Sequence, residues 1–139
     1  MHRNTTSRVT FVGSEMQKTH SLLSMPLSTD ENILQQFDDK KNYKAFNRYG
    51  DSKLLVDAFV RQLATLVPDT EVIVNNLCPG LVATGFDRNA PRLIRGIMYI
   101  YRKMSARSVE EGSRTIIYAS VVSGPETHGK FLVSNLVNP

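Results

Sequence analysis

Residues 49–80 read YGDSKLLVDAFVRQLATLVPDTEVIVNNLCPG. Leu55, Phe59, Leu63 and Leu66 recur at helical spacing, with Leu54 and Ala58 beside them, which predicts a helix from Tyr49 to Val67. Pro68 cannot continue it. Glu71 to Leu77 then forms a β-branched, apolar run closed by Pro79-Gly80, which predicts a buried strand. Upstream, Arg8 to Val12 is a second such run, stopped by Gly13-Ser14. Strand, helix and strand with short joints predict an α/β fold built on a parallel sheet.

Working outward, Glu15 to Arg48 is long and mostly polar. It reads as an extended loop carrying one short helix, opened by a capping box of Ser28 and Glu31 ahead of Ile33, Leu34 and Phe37. A loop of that length is usually functional or disordered. Pro91 to Lys103 sets Ile94, Ile97, Met98 and Tyr101 on one face among basic residues. Ser108 and Glu111 make a second capping-box match, opening a helix to about Val121. Gly124-Pro125 breaks it, and Lys130 to Val133 reads as a closing strand.

The 139 residues suffice for one domain, 1–139, and not for two. Hydrophobic residues at 41% and charged residues at 22% are ordinary for a globular chain, which excludes a disordered one. A net charge of +4 is scattered rather than clustered, so no nucleic-acid partner is expected. With Cys78 alone there is no internal disulfide, and a reducing, cytoplasmic setting is the default. No run approaches ~18 apolar residues, the length a spanning helix needs. The three histidines have no ligand spacing, so no metal site is expected.

Tyr49 and Lys53 stand one helical turn apart, on one face. A phenol exchanges protons poorly at neutral pH, and a neighbouring ammonium favours its ionised form, which suits the pair to acid/base work. Alone, the same spacing also describes a solvated helix start.

The context is more specific. In order come a strand ending in Gly13-Ser14, a helix opening Tyr49-Gly-Asp-Ser-Lys53, and a strand running into Cys78-Pro79-Gly80-Leu-Val-Ala-Thr84. Ser108-Val-Glu-Glu-Gly112 and Gly129-Lys-Phe-Leu132 follow. From Arg8 to Asn135 the chain resembles the C-terminal half of short-chain dehydrogenases/reductases, closest to the retinol-dehydrogenase-like and fungal secondary-metabolism branches. The resemblance implies a partial Rossmann-like fold and an oxidoreductase interconverting an alcohol and a carbonyl with NADP or NAD. It implies that Tyr49 is the general acid/base and that Lys53 supports it and binds the nicotinamide ribose. Ser14 would donate to the substrate oxygen. Pro79 and Gly80 would shape the turn beside the nicotinamide, and Thr84 would touch its carboxamide. The gap between Ser14 and Tyr49 exceeds the family habit, which leaves Ser21 and Ser24 as substitutes.

The family's dinucleotide site needs a Gly-rich turn at a helix N-terminus. Gly13, Gly50, Gly80, Gly85, Gly96, Gly112, Gly124 and Gly129 make no Gly-x-Gly-x-x-Gly. This chain alone is therefore expected to bind the dinucleotide weakly or not at all. Two other readings stay open: a cofactor-free acid/base enzyme of isomerase or dehydratase type, and an inactive remnant or partner subunit. The latter would pair with a full-length relative, or with a second copy, through an open edge at the first strand. The resembled layout makes the Glu15–Arg48 loop and the Phe86–Arg107 segment cover a small lipophilic substrate. It favours that role for the Arg92–Lys103 helix over lying on a membrane surface.

Overall fold

The computed structural model describes residues 6–28, 30, 32–83, 92, 95–96, 99–100, 103 and 106–138. Thr84, Glu31, and the apolar residues Ile94, Ile97, Met98 and Tyr101 lie outside that set.

Four strands form one sheet in the order β1-β2-β3-β4. Strand β1 (Ser7–Val12) pairs parallel with β2 (Val72–Cys78), and β2 pairs parallel with β3 (Phe131–Val133). The last strand, β4 (Leu136–Asn138), turns back antiparallel onto β3. The sequence reading expected three strands and missed β4. Its hairpin turns on Ser134 and Asn135, both at positive φ (54° and 66°), as a two-residue turn requires, and no glycine marks it.

Adjacent asparagines in β2 show how the layers sit, because successive strand side chains point to opposite faces. Asn76 reaches one face, where its Nδ2 donates to Asp57 Oδ1 (3.2 Å) on helix α2 (Ala45–Leu66). Asn75 reaches the other face. There its Nδ2 donates to Ala119 O (3.0 Å), and it lies 3.3 and 3.2 Å from the hydroxyl oxygens of Ser123 and Thr127. That face is covered by helix α3 (Val109–Ile117), which continues as a π-helical stretch, Tyr118–Val122. The core is Val60 from α2, Ile73, Val74, Leu77 and Cys78 from β2, Phe131 and Leu132 from β3, and Ala119. A mainly parallel sheet covered on both faces by helices is an α/β, partial Rossmann-like fold.

The segment from Glu15 to Arg48 is more ordered than a loop. It folds as three 3-10 turns, Glu15–Thr19, Ser21–Leu23 and Lys40–Asn42, around a short helix α1 (Ile33–Asp38). Ser28 does not cap α1; Asn32 does, with its side chain accepting from the Leu34 amide (2.9 Å). Helix α2 begins at Ala45, one turn before Tyr49. The second capping box forms as expected: Ser108 Oγ accepts from Glu111 N (3.1 Å), and the Glu111 carboxylate accepts from Ser108 N (2.8 Å).

Helix α2 turns its polar small residues inward. Gly50, Asp51, Asp57 and Val60 are buried, whereas Phe59 is 55% and Leu66 is 71% exposed. The apolar period that reveals the helix in the sequence is therefore only partly covered, although Phe59 still meets Phe11 of β1 edge-on.

Candidate active site

The C-terminal end of β1 and the first turns of α2 meet at one place. Lys53 Nζ donates to the backbone oxygen of Val12 (3.0 Å), the last residue of β1. The same ammonium lies 5.7 Å from the centroid of the Tyr49 ring, within the range at which a cation is held by a ring's π face. The expected side-by-side placement of Tyr49 and Lys53 is thus present.

Ser14 sits two residues beyond Val12 and caps the 3-10 turn Glu15–Thr19, its Oγ accepting from Met16 N (3.2 Å). A hydroxyl that accepts still has its proton to donate. The turn that Ser14 opens packs directly on α2 at Gly50, where an added Cβ would lie 2.7 Å from Met16 O and 3.2 Å from Thr19 O. Gly50 is what lets the long connection fold back and bring the end of β1 to Tyr49 and Lys53. Ser21 lies further along, buried, its amide donating to Asp51 Oδ1 (2.6 Å), and Ser24 Oγ donates to Ser21 O (3.0 Å).

The approach to α2 is held by Arg48. Its guanidinium lies over Phe37 (5.1 Å) and Tyr43 (5.8 Å), and its Nη1 is 3.7 Å from Asp51. Asp51 and Arg48 were not singled out from the sequence. Their positions just before and after Tyr49 were the available signal.

Pro79 and Gly80 follow β2. Gly80 adopts φ +80°, a left-handed conformation that glycine takes without strain. Its amide donates to Cys78 Sγ (3.4 Å), and an added Cβ would meet the Arg107 side chain at 3.4 Å. Arg107 is pinned beside this turn, its N–H donating to Leu81 O (2.8 Å) and its carbonyl accepting from Ala83 N (3.0 Å). A cavity of ≈ 330 Å³ opens next to it, lined by Arg107, Glu111, Arg114, Thr115, Ser134 and Asn135. It contains none of Ser14, Tyr49 and Lys53. Its floor is polar, and Arg107 Nη2 already donates to Ser134 Oγ (2.7 Å).

The Glu111 carboxyl is held below the ordinary carboxylate range. The Ser108 backbone N–H is the main cause and the Ser108 hydroxyl the next, with Arg114 and Arg107 adding to them against a small effect of burial. Among the described residues, no group of three or more His, Cys, Asp and Glu side chains is arranged to hold a metal ion. His128 instead braces the fold, its Nδ1 accepting from Val74 N (3.2 Å) and its Nε2 lying 2.9 Å from Ala64 O. No described helix is long and apolar enough to cross a membrane.

No protein-family model matches the chain. Curated proteins do. It is 51% identical over 138 residues to short chain dehydrogenase sor7 of Hypocrea jecorina, covering 99% of this chain and 38% of that protein. It is 41% identical over 127 residues to short-chain dehydrogenase/reductase tropG of Talaromyces stipitatus, covering 91% of this chain and 39% of the relative. A match to short chain dehydrogenase yanD of Aspergillus niger is 36% identical over 132 residues, covering 94% of this chain and 40% of the other. The chain thus spans about 38% of the length of the first of these relatives, which fits a C-terminal portion.

Proposed function

Because this chain belongs to the short-chain dehydrogenase/reductase family, we propose that it carries the proton-transfer face of an oxidoreductase. The reaction would interconvert an alcohol and a carbonyl on a lipophilic small molecule of fungal secondary metabolism. The observation that carries this reading is the seating of Lys53, 3.0 Å from Val12 O and 5.7 Å from the Tyr49 ring centroid, with Ser14 two residues beyond Val12.

In this reading Tyr49 gives a proton to the substrate oxygen or takes one from it. Lys53 favours the phenolate as the proton leaves. Ser14 donates to the same substrate oxygen, where negative charge grows along the reaction. The hydroxyl's role as acceptor in its cap leaves that donation open. Leu23, Leu34 and Tyr43 are exposed on the segment leading into α2, and Phe46 in its first turn, which supports an apolar substrate.

The residues present fit one end of a nicotinamide dinucleotide. Lys53 and the Pro79-Gly80 turn would hold the nicotinamide riboside, the turn taking the left-handed conformation that Gly80 allows. Thr84 would complete that end. The pyrophosphate end has no matching Gly-rich turn in this chain. When bound, the reduced nicotinamide would supply the hydride, and its oxidised form would take the hydride in the reverse direction; the proton and the orientation would come from this chain.

The test is to purify the chain, add the dinucleotide-binding portion of a 51%-identical relative, and follow the loss of reduced nicotinamide with aromatic ketones. Turnover that needs both pieces and vanishes in Tyr49→Phe is expected. Turnover by the chain alone without any nicotinamide would replace this reading with cofactor-free acid/base catalysis. No turnover in either case would make it a non-catalytic subunit.

A further inference from the structure

The first turns of α2 have two sides. At about 100° per residue, Phe46, Tyr49 and Lys53 fall on one of them, and Arg48, Gly50 and Asp51 share the other. The chain between Ser14 and Tyr49 wraps that second side as a collar. Its first turn packs on Gly50 through Met16 O and Thr19 O. Next it meets Asp51, whose Oδ1 accepts from Ser21 N (2.6 Å). Further along it meets Arg48, through the rings of Phe37 in α1 (5.1 Å) and of Tyr43 just ahead of α2 (5.8 Å). Gln36 Nε2 donates to Met25 O (3.1 Å), which ties α1 back to the chain just after Ser21.

Arg48 and Asp51 join the two ends of this collar. The Asp51 side chain is 2% exposed and that of Arg48 22%, with Nη1 and Oδ2 3.7 Å apart. A carboxylate so enclosed needs a positive charge beside it. Arg48 Nε and Nη1 are buried and make no hydrogen bond among the described residues, so the two rings and the carboxylate hold the guanidinium. That seat suits arginine and not lysine. A guanidinium is planar and weakly hydrated and lies against π faces, whereas an ammonium keeps its water.

We infer that Arg48 and Asp51 are positioning residues for the reaction. By closing the collar they set the distance between Ser14 at its start and Tyr49 at its end, so that both hydroxyls meet one substrate oxygen. The inference rests on the oxidoreductase reading. Neither residue touches substrate, because both lie under the collar on the side of α2 turned away from Tyr49 and Lys53.

The test uses Arg48→Lys and two milder variants. Asp51→Asn keeps an acceptor for Ser21 N, and Tyr43→Leu removes one ring at a residue that is 60% exposed, which leaves the core intact. In the full 139-residue chain, amide exchange read by mass spectrometry should quicken about tenfold between Ser21 and Tyr43 in all three and stay unchanged in β2. Tyr43→Phe keeps the ring and should behave as the parent does. In the two-piece turnover assay with acetophenone, Arg48→Lys should lower kcat about tenfold and leave KM within about threefold, as misplaced donors do. Ser14→Ala should cost about tenfold in the parent and less than about threefold in Arg48→Lys, a non-additivity that lost stability alone does not produce. Unchanged exchange in all three variants would overturn the clamp, and additive losses would overturn the positioning role while leaving the oxidoreductase reading intact. A parent without turnover would remove that reading, and the inference with it, even where exchange quickens.

Discussion

Lys53 Nζ donates a 3.0 Å hydrogen bond to the backbone oxygen of Val12, joining the third turn of α2 to the tip of β1. The same ammonium that lies over the Tyr49 ring is therefore also a structural tie between helix and sheet. The two roles separate by substitution. Lys53→Met keeps the aliphatic stem and removes the donor, and a charged hydrogen bond at an exposed site is worth about 0.5–1.5 kcal/mol. A drop of that size in the urea unfolding free energy is expected. An unchanged midpoint would mean that solvent replaces the tie at no cost.

Gly50 decides whether the serine end of β1 can approach α2. Alanine is the better helix former by about 1 kcal/mol, so a freely exposed glycine would gain from the change. Here the new methyl would lie 2.7 Å from Met16 O, a backbone atom that cannot swing aside. Overpacking of this kind costs about 1–3 kcal/mol, and the clash outweighs the propensity. Gly50→Ala should lower stability, and in the two-piece assay it should lower turnover. A stabilised, fully active variant would show that the Glu15–Thr19 turn does not press on the helix as described.

Asn75 is the polar centre of the α3-side layer, with Ala119 O, Ser123 Oγ and Thr127 Oγ1 all within 3.3 Å of one amide nitrogen. Its Oδ1 has no partner among the described residues, which offsets part of the gain. Asn75→Ala removes the amide and leaves a void, at a cost of roughly 2–4 kcal/mol. Asn75→Asp should be worse, because it buries a charge and replaces a donor by an acceptor facing a carbonyl. Chemical denaturation of the three proteins ranks them; an aspartate variant as stable as the parent would contradict the donor assignment.

What the sequence made legible is what depends on local pattern. The two β-branched runs became β1 and β2 with shifts of a residue at their ends, and the Ser108–Glu111 box formed as read. The nearness of Tyr49 and Lys53 follows from helical spacing alone. The turns between Glu15 and Asn42 were not legible, because each depends on a single side chain folding back on the backbone. Ser14 caps Met16 N, Asn32 caps Leu34 N and Asp39 caps Lys41 N. Asp51 then fixes Ser21 across 30 positions of sequence, which no window reveals. The exposure of Phe59 and Leu66 was hidden for a different reason. Periodicity shows that a helix has an apolar side and not which neighbour covers it.

Glu111 gives a prediction whose sign is fixed by the capping box. Its carboxylate accepts from Ser108 N at 2.8 Å, and this bond, followed by the Ser108 hydroxyl, holds it below the ordinary value of 4.5. A carboxyl depressed in the folded state binds its proton more readily when the chain is unfolded, so folding is favoured wherever the group is ionised. That contribution is complete above 4.5 and is lost as pH falls through the lower, folded value. Glu111→Gln can still accept from Ser108 N but cannot titrate. Parent and variant should therefore differ most in stability near neutral pH and converge in acid below the carboxylate range. Salt should narrow the difference only slightly, because hydrogen bonds within one turn lead the causes and the charges of Arg114 and Arg107 come last. Thermal melts of both proteins across that range measure it. Parallel curves, with a constant gap down into acid, would mean that the glutamate acts through packing and not through its charge.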